Sequence, residues 1–398
     1  MRCRMALMAA MIFACTGVQT ALAVTAVDLA AEAGFPSPQP SNGESVVFDY
    51  DGDGDQDILL SGHGQEWPLL QQGPSGFFAR VLPGSFAAGQ DRHGCTTGDY
   101  NGDSLPDLYC VRGACKGVCT ISYPNELYLQ RSDRTFEKIP GAWGADDPHG
   151  RGRGALSLDF DQDGDPDLLV LNEKSTGFPL VGNHLYRNVG GSFVEVTGTP
   201  LSHTIGSFRA VAIRKPGGYP DVAMVTTSGI LYYKNNRGTF AAGVNLGGTL
   251  VYDVDAADLD RNGRLDLVIV QEKSVEVRLN DGTFRFGTVS YKHTLTQGHD
   301  VALCDLDNRS GLDLYIVQGV RPANQDLILL NNGTGKGYKE VATPRIDKGH
   351  GDVATCVEKF PGSKYPGALG KAVVVTNNKW LSGGSSQLGS DRLLVLKP

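Results

Sequence analysis

Short apolar runs recur along the chain, most of them opening on an aspartate. They read DILL from Asp57, DLYCV from Asp107, DLLVL from Asp167, DVAMV from Asp221, DLVIV from Asp266 and DLYIV from Asp313, with AVVV from Ala372 as a seventh. The runs are continuous rather than alternating and too short for helices. That pattern predicts strands buried on both faces. A short segment precedes each run, as in GALSLDFD and DVALCDLD. A third segment follows (LYLQ, HLYRN, LYYKNN, VRLND or LILLNN), then a glycine-aromatic segment such as GSFVEVT, GTFAAGV or GYKEVA. Each unit therefore holds four strands joined by short turns, and no helical period of comparable strength competes.

The units begin at 49, 99, 159, 213, 258, 305 and 357. A repeat of roughly 50 residues points to a propeller or a solenoid, and four-stranded units repeated radially make a propeller. The seventh unit stops at its third strand, RLLVLKP, while TAVDLAAEAG from Thr25 looks like a fourth strand. The expectation is an all-β, seven-bladed β-propeller of four-stranded antiparallel blades. The N-terminal strand completes the last blade and hides two sheet edges.

Composition adds the compartment. The first 23 residues run from a basic MRCR through an apolar MALMAAMIFACTGV to a small-x-small ALA. This reads as a secretory signal peptide cut after Ala23, leaving one propeller over 24–398. A lipoprotein cut before Cys15 is the rival, which Phe13 fits poorly. The expected location is secreted, or periplasmic in a bacterium. Losing Arg2 and Arg4 takes the formal charge from −8 to −10, which disfavours nucleic acid, and no later stretch suits a membrane span. Six cysteines remain: Cys95, Cys110, Cys115, Cys119, Cys304 and Cys356. An even count in a secreted chain suggests disulfides; zinc is the alternative, at spacings that match no common zinc site. The register makes Cys95–Cys110, Cys115–Cys119 and Cys304–Cys356 plausible pairs.

The turn between the first two strands carries the chemistry. Its first copy, DYDGDGDQD, packs Asp49, Asp51, Asp53, Asp55 and Asp57 into nine residues. Polar side chains fall at positions 1, 3, 5 and 9. The second loop has Asp99, Asn101, Asp103 and Asp107; the third has Asp159, Asp161, Asp163 and Asp167; the fifth has Asp258, Asp260, Asn262 and Asp266. Gly54, Gly164 and Gly263 stand at position 6, where a tight loop needs positive φ. Alternate oxygens on a curled backbone converge. Two unit charges 4 Å apart repel by about 4 kcal/mol at an effective dielectric of 20. A hard dication removes that conflict, and calcium tolerates irregular oxygen geometry better than magnesium. Position 7 should add the backbone carbonyls of Asp55, Leu105, Asp165 and Arg264. The reading is about four Ca2+ ions; metal-free acidic hairpins are the alternative. In the sixth loop Arg309 replaces the position-5 acid, and a guanidinium there would take the ion's place. Loop four keeps only Asp221 and loop seven keeps no ligand, so both read as plain turns.

The unit resembles the FG-GAP/VCBS repeat, the blade of the integrin α-subunit propeller. The acidic loops, the LY-x-N strand and the G-x-F strand carry the likeness over nearly all of the mature chain. Stretches such as GRGALSLDFDQDGDPDLLVLNE also resemble secreted proteins of the cartilage acidic protein type. The resemblance implies calcium on the face of the strand 1–2 turns and extracellular binding or adhesion. The worn loops four, six and seven depart from it.

The opposite face should gather the 2–3 loops, with His63, Trp67, Tyr123, Phe178, Arg321 and Trp380. It should also gather the blade connections, with His93, His149, His203, His299 and His350 beside Arg92, Arg151, Arg153 and Arg209. One reading is a basic, aromatic-edged bowl for an anionic ligand, an acidic glycan or a protein carboxylate. The other is that these histidines are turn chemistry of the repeat. Two functions compete: a secreted calcium-stabilised module that binds a protein or glycan, and a lyase on uronate glycans using His93, His149 or Tyr123 as base. No nucleophile elbow or carboxylate pair supports an enzyme.

Overall fold

The computed structural model describes residues 25–35, 45–60, 66–82, 85–87, 91–113, 123–174, 181–309, 311–319, 325–341, 351–360, 365, 368, 371–377 and 392–397. The signal segment, His63, Phe178, Arg321, Trp380, His350 and the Cys115–Cys119 pair lie outside these residues. The described residues form seven four-stranded sheets, six of them in simple sequential order. Blade two, for example, is Arg92–Gly98, Asp107–Arg112, Glu126–Gln130 and Phe136–Ile139, all antiparallel. A tight turn over Pro140–Gly144, with positive φ at Gly141, Ala142 and Trp143, interrupts the strands described.

Blade seven takes three strands from the C-terminal end, Gly351–Val357, Ala372–Asn377 and Arg392–Lys397. Its fourth is Thr25–Asp28, in register from Thr25↔Lys397 to Asp28↔Leu394. The ring is therefore closed by backbone hydrogen bonds between the two ends of the chain. Innermost strands neighbour one another all the way round, and the seventh lies beside the first.

The continuous apolar runs now have a reason. In blade two, Leu108 and Cys110 pack toward blade one, while Tyr109 and Val111 pack toward blade three. In blade three, Leu168 and Val170 face back and Leu169 and Leu171 face forward. Both faces of each second strand fill a junction, so alternation would leave one junction polar. Seven apolar clusters fill the seven junctions. Two disulfides add to them. Cys95–Cys110 ties the first two strands of blade two, and Cys304–Cys356 staples blade six to blade seven.

Candidate metal centres and ligand face

The aspartate at position 9 anchors each acidic turn. Asp57, Asp107, Asp167, Asp266 and Asp313 are all fully buried. One oxygen accepts the position-2 backbone N–H: Tyr50 at 2.7 Å, Tyr100 at 2.9 Å, Phe160 at 3.0 Å, Leu259 at 2.9 Å and Leu306 at 2.9 Å. The other accepts an N–H from the end of the third strand: Gln72, Gln130, Asn188, Asn280 or Asn331, at 2.7–2.9 Å. Burial pushes these carboxyls up, to about 6 for Asp57 and Asp266 and about 7 for Asp107, Asp167 and Asp313. The backbone donors pull the other way, and neighbouring loop carboxylates add to the rise.

Positions 1, 3 and 5 curl the loop. Asp49 accepts the N–H of Gly52 at 2.7 Å and of Gly54 at 3.0 Å. Asp99 accepts Asp103 at 3.0 Å and Ser104 at 2.8 Å, and Asp258 accepts Asn262 at 2.9 Å and Gly263 at 2.8 Å. Position 5 accepts the position-7 N–H: Asp53 from Asp55, Asp103 from Leu105, Asp163 from Asp165 and Asn262 from Arg264. These side-chain-to-backbone turns bend the chain around one point. Position 6 is left-handed as expected, with φ of 91° at Gly54, 100° at Gly164 and 80° at Gly263. Position 4 is left-handed too, at Gly52, Gly102, Gln162, Arg261 and Asn308, which the spacing of glycines did not reveal.

The curl brings carboxylates together. One oxygen from each of Asp49, Asp51 and Asp53 lies within 4.8 Å of the others. The same holds for Asp159, Asp161 and Asp167, for Asp258, Asp260 and Asp266, and for Asp305, Asp307 and Asp313. Loop two holds three carboxylates and an amide, with Asn101 Nδ2 donating to Asp103 at 2.9 Å. Local partners differ between loops. Gln71 donates to Asp51, and Arg187 donates to Asp161 at 2.7 Å and to Asp163 at 2.9 Å. In the sixth loop the Arg309 side chain is 70% exposed and only reaches 4.0 Å from Asp307, so it does not fill the acidic cluster as expected.

Three oxygens test whether a cation suits these loops. Asp159 Oδ1, Asp161 Oδ1 and Asp305 Oδ1 are shut off from solvent and have no hydrogen-bond donor. A buried anionic oxygen without a partner is strongly unfavourable, and an ion among these carboxylates would satisfy it. The donor set is all oxygen, which suits a hard dication.

The opposite face is built differently from the sequence expectation. In six blades the innermost strand bulges near its start. The bulged residues include His93, Arg153, Phe208, Tyr252 and His299. Successive ones meet: Arg153 lies 2.6 Å from His93 Nε2, and Tyr252 stacks on His299 at 5.7 Å. Glu173 pairs with both Arg151 and Arg153. A cavity of about 220 Å3 is walled by the innermost strands of blades four to seven, with Arg209, Asp253, Asp255, Asp300 and Thr355 in its lining. Two carboxylates clamp successive blades there: Asp253 accepts the N–H of Val301 at 3.0 Å, and Asp300 that of Ala354 at 2.8 Å.

Several expected rim residues are elsewhere. Trp67 is fully buried between blades one and two, because the segment leading into Leu69–Gln72 turns the indole inward against Arg92. Arg92 is itself buried, held by Glu126 at 2.6 Å and Tyr128 at 2.9 Å. The histidines also separate. His93 and His299 occupy bulges, His149 is exposed, and His203 stacks on Tyr233 with its pKa lowered by burial. Tyr123 lies under Arg112, 4.6 Å from its guanidinium.

A family model described as an FG-GAP-like repeat matches residues 49–110 and 258–316, which hold loops one, two, five and six. Together with seven four-stranded blades this decides the architecture. The chain is a seven-bladed β-propeller in which these two stretches match FG-GAP-like repeats. Human cartilage acidic protein 1 is 33% identical to this chain over 79 residues, 20% of this chain and 11% of that protein's length. Among solved structures, a lectin of Agrocybe aegerita that recognises non-reducing terminal N-acetylglucosamine superposes with a TM-score of 0.52 at 17% identity, over 85% of this chain and 86% of its own. BBS1N, crystallised in complex with ARL6DN, gives a TM-score of 0.54 at 10% identity over 91% of this chain and 94% of its own. These likenesses concern the fold.

Proposed function

We propose that this propeller is a secreted, calcium-stabilised module that binds an extracellular protein or glycan and is not an enzyme. The observation that carries the metal reading is the orphaned pair Asp159 Oδ1 and Asp161 Oδ1 inside a loop pattern repeated round the ring. Asp49, Asp51, Asp53 and Asp57 would hold one ion, and Asp99, Asn101, Asp103 and Asp107 a second. Asp159, Asp161, Asp163 and Asp167 would hold a third, and Asp258, Asp260, Asn262 and Asp266 a fourth. The position-7 carbonyls of Asp55, Leu105, Asp165 and Arg264 complete the sets. Bound calcium supplies charge neutralisation, and by binding only the native hairpins it stabilises them.

The cystines support an oxidising compartment. None of the described helices is long and apolar enough to cross a membrane. The ligand belongs on the face away from the metal loops, where the bulged starts of the innermost strands carry His93 against Arg153 and Tyr252 against His299. That a lectin shares the architecture is fold-level analogy in favour of a glycan.

The test uses the mature chain on an array of neutral and uronate-bearing glycans, with and without calcium. Aliquots incubated with uronate polymers are followed for new ultraviolet-absorbing ends. Saturable binding to one glycan class without new ends is expected. Steady growth of such ends, abolished in His149→Ala, would show a lyase instead.

A further inference from the structure

Blade four breaks the acidic pattern in a specific way. Its turn reads IRKPGGYPD, with Lys215 at position 3 where Asp51, Asn101, Asp161, Asp260 and Asp307 stand in other blades. Position 9 keeps its aspartate, and Asp221 is fully buried. Lys215 pairs with Gly218 across the hairpin, so Pro216 and Gly217 alone make the bend. That turn is too short to curl around an ion. The ammonium instead reaches back, with Lys215 Nζ 2.5 Å from Asp221 Oδ1. The same oxygen accepts the N–H of Asn235 at 2.7 Å, and the Tyr232 hydroxyl donates to Oδ2. The third-strand contact of the acidic blades is thus preserved, and the cation comes from the chain.

The junction with blade five is also distinctive. Elsewhere a third-strand amide reaches back to the preceding blade's turn. Gln130 donates to the Tyr50 carbonyl at 2.9 Å, Asn188 to Tyr100 at 2.9 Å, Asn235 to Phe160 at 2.8 Å and Asn331 to Leu259 at 2.9 Å. In blade five, Asn280 Nδ2 bonds within its own blade, to Leu265 at 3.1 Å. Two cationic side chains cross this junction instead: Arg278 Nη1 donates to the Leu246 carbonyl of blade four at 2.9 Å, and the Lys215 ammonium sits 5.3 Å from the ring of Phe284 in blade five. A cation on an aromatic face is attractive, more so when desolvated.

We propose that Lys215 is the built-in cation of blade four, standing where a bound divalent ion stands in the acidic blades and fastening blade four to blade five through Phe284. The contrast with other blades rests on the calcium reading above; the Lys215–Asp221 contact does not. One sector of the ring therefore stays ordered without metal, while the acidic hairpins on either side respond to it.

Amide hydrogen exchange tests this on the mature protein and on Lys215→Met, which keeps the apolar stem without the charge, each with calcium and after metal stripping. In the unaltered chain, stripping is expected to speed exchange at Phe160 and Leu259 by on the order of tenfold and to leave Asn235 unchanged. Lys215→Met is expected to speed Asn235 by a similar factor in both conditions, and Lys215→Arg to restore its protection. Acceleration of Asn235 on stripping, or an unchanged Asn235 in Lys215→Met, would overturn the proposal. Should Phe160 and Leu259 ignore stripping while Asn235 responds to Lys215→Met, the calcium reading fails and the role of Lys215 stands.

Discussion

Ser104 stands at position 6 of loop two with φ of 69°, where loops one, three and five place glycine. A side chain in the left-handed region is disfavoured by about 1–2 kcal/mol, partly offset because glycine loses more freedom on folding. Ser104→Gly is expected to stabilise the protein by about 0.5–1 kcal/mol, read as a higher urea midpoint at unchanged slope. A lower midpoint would mean the serine makes an unrecognised contact. The position-9 aspartates make a second prediction at this scale. Their folded values, about 6 to 7, lie above the ordinary 3.8. In metal-stripped protein their contribution to stability is therefore fully present below about pH 4 and is lost as pH rises through 6 to 7. Calcium prefers the carboxylate, so its apparent affinity should fall as pH drops from 7 to 6, with protons released on binding. Calorimetry in buffers of different ionisation enthalpy measures that release, and none at pH 6.5 would count against these residues as ligands.

At the scale of elements, the third-strand amide binds blade to blade. Asn188 is buried, donates to the Tyr100 carbonyl at 2.9 Å and accepts the N–H of Gly191 at 3.0 Å. Asn188→Ala leaves one buried carbonyl and one half-buried N–H unpaired, which should destabilise by about 2–3 kcal/mol. A urea titration within 0.5 kcal/mol of the unaltered protein would show that water takes over this role. The strands themselves were legible in the sequence, because a run such as DLYCV must be apolar on both faces to fill two junctions. The clasp was not, although LYLQ, HLYRN and LILLNN display its amides at one end. An Asn or Gln closing a strand also fits an ordinary turn, and only the neighbouring blade's carbonyl distinguishes the two. The rim fared worst. Strand order places Trp67 and Arg92 near the ligand face, but side-chain direction depends on packing, which turned both inward.

At the scale of the whole molecule, closure, blade number and both described disulfides followed from the repeat spacing. What spacing cannot supply is the local balance of charge. Arg187 sits on loop three, Arg309 turns away from loop six, and Lys215 neutralises blade four. The ring thus combines acidic hairpins whose carboxylates could hold a cation with one hairpin that has its own ammonium. Each ion present at a hundredfold excess over its dissociation constant adds about 2.7 kcal/mol to the native state. The most direct measurement is the thermal unfolding of the mature protein in millimolar calcium against the metal-stripped protein, with bound metal counted by elemental analysis. The account predicts about four calcium ions per chain and a melting temperature raised by several degrees. Equal melting temperatures with no metal retained would contradict it.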